Sequence, residues 1–100
     1  KMISTLISFQ YSDNFDADKI ASIAETARSK FEGFPGLRSK AFTIDHDNKR
    51  ALNFYVWESE EAARNFFTDE QKTFISGLYG ADIQVQYLEL KQLVDNASSE

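Results

Sequence analysis

The chain has 100 residues, 42% of them hydrophobic and 14% aromatic, nine being Phe, enough for one core and too apolar for a disordered segment. A formal charge of -5 and a pI near 4.8 oppose phosphate backbones, so no nucleic-acid partner is expected. Cys is absent, which removes thiolate nucleophiles, iron–sulfur clusters and cysteine zinc sites and favours a cytoplasmic setting.

No apolar run reaches the ~18 residues that cross a bilayer, so no membrane partner is expected. No signal peptide is read before the first strand, and Lys1 is set aside as a remnant of expression. Residues 1–100 are read as a single domain, with a core of about 2–93 and a polar, frayed tail over 94–100.

Met2 to Tyr11 alternates with period two. Ile3, Thr5, Ile7, Phe9 and Tyr11 share one face, which predicts a strand. After a polar turn, Asp16 is placed to cap a helix. Ala17, Ile20, Ile23, Ala24, Ala27 and Phe31 recur at spacings of three and four as its apolar stripe. Arg28 and Lys30 fall in the last turn, Gly33 suits the position after the helix, and Pro35 forbids continuation.

Leu37 to Asp45 alternates again, with Arg38, Lys40, Phe42 and Ile44 on one face and Leu37, Ser39, Ala41 and Thr43 on the other. His46 to Arg50 is a polar loop and Ala51 to Trp57 a third strand, which together predict an antiparallel hairpin. Ser59 is placed to cap a second helix with Glu60 and Glu61 in its first turn. Thr68 to Gln71 reads as a capping box that restarts it. Phe74, Ile75 and Leu78 are expected on the buried side of this last piece, and Gly80 at its end. Asp82 to Leu93 reads as a long final strand.

Four strands and two helical regions in the order βαββαβ predict an α+β, ferredoxin-like fold: a four-stranded antiparallel sheet with both helices on one face. The second sheet face keeps apolar residues, Tyr55 and Trp57 or Phe54 and Val56 depending on register. A second copy of the chain is the economical cover, which predicts a homodimer.

The candidates for chemistry are few. His46 is the only histidine and falls between two aspartates in the hairpin loop, where a solvated turn residue competes with a general base. Asp45-His46-Asp47 has metal-binding composition, but neighbouring side chains at a strand end diverge, so no metal is expected. Tyr55 and Trp57 share a face and suit either packing or the flat wall of an aromatic site. Asn53, on that same face, is disfavoured in an apolar strand and needs partners if buried; it can serve as a donor to a developing oxyanion. Arg38 suits a bidentate clamp on an anion or a surface ion pair. Tyr11, Tyr79, Gln84 and Gln86 are secondary candidates, Tyr79 for a pocket mouth and the glutamines for a polar cavity or solvent.

Gly33-Phe34-Pro35-Gly36-Leu37, a strand ending in Asp45, a polar loop, and Asn53-Phe54-Tyr55-Val56-Trp57-Glu58-Ser59-Glu60-Glu61-Ala62-Ala63-Arg64-Asn65-Phe66-Phe67 resemble the dimeric α/β-barrel superfamily. The resemblance spans about residues 2–93. It is nearest to the YdhR-type monooxygenases and more distant to the antibiotic-biosynthesis monooxygenases.

The resemblance implies a homodimer with a barrel between its sheets and a pocket between sheet and helices. It implies a monooxygenase without cofactor, acting on a small aromatic or polyketide-like molecule, with Asn53, Tyr55, Trp57 and Arg38 as catalytic candidates. The alternative is a non-catalytic dimeric module that binds a small ligand or serves in stress. Haem-degrading relatives use a helix histidine, and the helical segments here have none.

Overall fold

Alternation along the first strand decides the architecture. In the computed structural model, which describes residues 1–99, β1 (Ile3–Gln10) buries Ile3, Thr5, Ile7 and Phe9 on one face. The chain continues through α1 (Ala17–Phe31), β2 (Leu37–Asp45), β3 (Arg50–Trp57), α2 (Glu60–Phe66), α3 (Asp69–Tyr79) and β4 (Gln84–Glu89). The strands form one sheet in the order β2-β3-β1-β4, with every pairing antiparallel. This is the ferredoxin-like α+β fold expected from the element order. No helix among the described residues is long and apolar enough to cross a membrane.

The helix ends follow local chemistry. Asp16 accepts from the backbone N–H of Lys19, Ser59 from Ala62 and Thr68 from Gln71, each satisfying a free first-turn donor. Gly33 and Gly80 follow α1 and α3 with φ of 70° and 73°, the left-handed conformation that glycine adopts without a Cβ penalty. Gly36 has φ 80°, and a Cβ built there would lie 2.7 Å from Ala62 Cβ, so α2 packs directly on its backbone.

Three expectations change. A bulge between Leu37 and Ser39 puts Leu37 opposite Trp57 on the helix-covered face, with Lys40, Phe42 and Ile44, rather than on the far side. β4 ends at Glu89 rather than Leu93, because its pairing with β1 runs out at Ile3. On α3 the buried side chain is Tyr79; Phe74 is 61% and Leu78 44% exposed. Within the tail expected to fray, Asn96–Ser99 form one 3-10 turn, while residue 100 of that tail lies outside the described residues.

The core lies between the sheet and the helices. Trp57, with 0% of its surface exposed, donates from Nε1 to Thr5 Oγ1 at 3.0 Å. Phe9 and Tyr79 stack at 4.0 Å, and Tyr55 and Trp57 at 5.4 Å. Phe66 and Phe67 meet edge to face at 4.9 Å under α2.

Candidate functional site

The helices do not fill the space above the sheet. A cavity of about 500 Å³ lies between α1, α3 and the strands β2 and β3, walled by Phe31, Phe42, Tyr55, Phe66 and Ile75, with the exposed Phe74 and Leu78 beside it. Cavities of this size and apolar lining are typical of small-molecule sites.

Asn53 reaches this cavity because β3 alternates. Its register with Ile7 and Phe42 sets it on the helix-covered face. It is buried, and its Nδ2 donates to Tyr79 Oη at 3.1 Å. Tyr79 is in turn fixed by the phenol of Tyr11, which donates to the Tyr79 backbone oxygen at 2.7 Å. Asn53, Tyr55 and Tyr79 thus bring three polar side chains into the cavity, whose lining also includes Lys19, Ser22, Thr26, Lys30, Lys40 and Gln71.

Burial pushes the Tyr79 hydroxyl pKa up, against the Asn53 hydrogen bond, and burial and then Tyr79 push that of Tyr55 up. Burial followed by Tyr79 raises Tyr11 to about 12. All three remain neutral donors at physiological pH.

The other candidates lie elsewhere. Trp57 is packed behind Tyr55 and is not part of the cavity wall. Arg38 falls at the β2 bulge, outside this cavity, with its guanidinium 3.9 Å from Glu58. His46 is exposed in the hairpin turn, edge-on to Phe15 at 6.2 Å. Beside it, Asp45 is occupied by Arg50 at 2.7 Å and by the Asn48 amide at 2.9 Å, and no cluster of three His, Asp or Glu able to hold a metal occurs among the described residues. Gln84 and Gln86 are exposed on the uncovered face.

The three cavity lysines, Lys19, Lys30 and Lys40, were missed. Lys40 points inward from β2, with Nζ 3.5 Å from the Phe31 ring centre, 4.1 Å from Phe42 and 4.4 Å from Tyr55. Burial and then Lys30 pull its pKa down to about 7. The signal in the sequence was a lysine two residues before Phe42 and four before Ile44, on an otherwise apolar face.

The family model described as "Putative mono-oxygenase ydhR" matches residues 5–97. The chain belongs to the YdhR family. No curated protein matches this YdhR-family chain by sequence, but solved structures do. It is similar to a monooxygenase from the Streptomyces coelicolor gene ActVA-Orf6, solved with nanaomycin D, at 18% identity and a TM-score of 0.69, over 92% of this chain and 89% of that one. It is similar to SnoaB, a cofactor-independent oxygenase of Streptomyces nogalater, at 16% identity and a TM-score of 0.65, over 93% and 96%. Rv0793 of Mycobacterium tuberculosis matches at 11% identity and a TM-score of 0.65, over 96% and 99%. At these identities the likeness establishes a shared fold.

Proposed function

We propose that this YdhR-family chain is a cofactor-independent monooxygenase whose substrate is a small aromatic or polyketide-like molecule bound in the cavity between sheet and helices. The observation that carries the reading is the aromatic-walled cavity of about 500 Å³ into which Asn53 and Tyr79 bring paired polar groups. The family description and the two Streptomyces oxygenases of like fold support it.

The chemistry suits such a wall. A phenol that loses its proton becomes an electron-rich phenolate able to reduce dioxygen. Its ring carbon joins oxygen as a hydroperoxide, which loses water to leave a quinone. Phenol and dioxygen thus become quinone and water. The Asn53 amide and the Tyr55 and Tyr79 hydroxyls are suited to holding developing oxygen charge, and the aromatic walls to packing on a flat ring. Trp57 supports Tyr55 from behind. Arg38, outside the cavity, is assigned to the surface.

We place the same chain in a homodimer built through the uncovered sheet face, in a cytoplasmic setting. Leu52, Phe54 and Val56 of β3 lie on that face, with Phe54 48% exposed, flanked by Leu6 and Leu88. This apolar strip suits a second sheet.

Oxygen uptake with 1-naphthol and related fused-ring phenols, without added cofactor, tests the reaction. Turnover lost in Asn53→Ala with the fold retained supports it; no uptake with any such phenol, despite tight binding, would leave the site a binding module. Light scattering tests the dimer: Phe54→Glu is expected to halve the mass, and a monomeric parent chain would refute it.

A further inference from the structure

The charge of the cavity is opposite to that of the chain. The molecule carries -5 overall, yet the cavity is lined by Lys19, Lys30 and Lys40 and by no carboxylate. Among the described residues none of these lysines makes an ion pair. Lys19 and Lys30 are exposed, whereas Lys40 is half-buried among three rings.

A lysine held in that way costs stability, since its charge is desolvated with no anion to offset the loss. The ring faces favour the ammonium form, while burial and Lys30 favour the neutral amine and bring its titration to about pH 7. Facing it are Lys30 from α1, the neutral Tyr55 phenol from β3 and, across the cavity, the neutral Tyr79 phenol from α3. On its other side Lys40 borders a hollow lined by Glu25, Arg28, Glu32 and Arg38, but neither glutamate forms an ion pair with it, so within the aromatic cavity an anion is the complement it lacks.

We infer that Lys40 makes the cavity selective for acidic aromatic ligands, phenols or enols, by taking the ligand's proton and pairing, as an ammonium, with the oxyanion left behind. The ligand O–H bond breaks, an N–H bond forms, and the electron pair stays on oxygen. No electron is transferred in this step. The inference rests on the cavity's being the ligand site and gives the proposed oxidation its phenolate.

The test uses 6-cyano-2-naphthol, whose absorption reports its anion, and its methyl ether as the neutral match. Calorimetry and absorbance are recorded near pH 8, without any turnover readout. The parent chain is expected to bind the naphthol as the anion, and more tightly than the ether. Lys40→Met is expected to weaken naphthol binding about tenfold or more, the worth of a charge-assisted hydrogen bond, with ether binding little changed. Lys40→Gln replaces it if the methionine variant misfolds.

Lys40→Arg keeps the charge but cannot accept a proton. Its naphthol binding is expected to release one proton to buffer, where the parent releases close to none, seen by comparing buffers of different ionisation enthalpy. Equal binding of naphthol and ether, an equal loss of both in Lys40→Met, or failure of both to bind would overturn the inference. Anion selectivity without oxygen uptake would leave it standing while the monooxygenase reading fell; uptake without selectivity would do the reverse.

Discussion

The hydrogen bond between Trp57 and Thr5 allows a quantitative test of the core behind the cavity. Both residues are fully buried, and indole Nε1 lies 3.0 Å from Thr5 Oγ1. Thr5→Val keeps the shape and removes the acceptor. The indole N–H is then stranded away from water, at a cost of about 1–3 kcal/mol. Trp57→Phe removes the donor and part of a ring, and costs about 2–4 kcal/mol through the cavity it leaves. With the donor gone, Thr5→Val strands nothing and relieves an unpaired hydroxyl, so its cost in the Trp57→Phe background falls close to zero.

The double-mutant cycle is therefore expected to give a coupling of about 1–3 kcal/mol. Urea denaturation reads it, with Thr5→Val moving the midpoint down by about 1–3 M, given a slope of about 1 kcal/mol/M for a small chain. Trp57 is the only tryptophan, so far-UV circular dichroism replaces fluorescence as the probe. If Thr5→Val costs the same in both backgrounds, the hydroxyl is not the indole's partner and the argument fails.

Gly36→Ala is expected to lose about 2–4 kcal/mol, combining about 1–2 for a side chain at left-handed φ with overpacking against Ala62; an unchanged melting temperature would contradict it. Asp45, held down to about pH 2 by the Asn48 side chain first, then Arg50 and the Asn48 backbone N–H, stabilises the fold above about pH 4 and loses that effect as pH falls toward 2. The stability gap between Asp45→Asn and its parent is therefore expected to be present at pH 6 and to close by pH 2; a gap constant across that range would refute it. Lys40 has the opposite sense of linkage. Its native pKa of about 7 lies below the ordinary 10.5, so the unfolded chain binds more protons between those values and stability rises with pH across them. Lys40→Met is expected to stabilise the fold most at pH 7 and below, with the gain shrinking toward pH 10.5; a gain independent of pH would count against a desolvated amine.

The sequence pattern carried the element order, the helix caps and the alternation of β1 and β3, because these depend on spacing within a few residues. It failed where partners are distant in the chain. The bulge at Arg38 turns Leu37 inward and leaves Arg38 outside the cavity, and nothing local in Leu37 to Lys40 distinguishes a bulge from regular alternation. The length of β4 depends on where β1 stops pairing. The apolar spacing of Phe74 and Leu78 marked the right side of α3 but not the cavity that leaves them uncovered. For the candidate site, Asn53 and Tyr55 were legible as polar or amphipathic residues on a core strand. Lys40 was passed over because a lysine in a strand is ordinarily solvent-facing, and only the enclosure by Phe31, Phe42 and Tyr55 makes it unusual.

β3 presents a different set of side chains on each face of the sheet. Its odd-numbered residues Asn53, Tyr55 and Trp57 face the helices and set the floor and backing of the cavity. Its even-numbered residues Leu52, Phe54 and Val56 form the apolar strip proposed to meet a second copy. Because successive side chains leave a strand on opposite faces, the two sets share a backbone without sharing contacts. A change at Phe54 reaches the cavity only through backbone shifts that the pairings with β1 and β2 on either side resist. A one-residue slip, by contrast, would send Asn53 outward and Phe54 inward at once. What protects against that slip is the pairing itself: Thr5 meets Tyr55 and Ile7 meets Asn53, and the Thr5 hydroxyl also captures the indole N–H of Trp57. That bond deep in the core is thus a register pin for the site. Loosening it is expected to cost the cavity its geometry as well as the fold its stability.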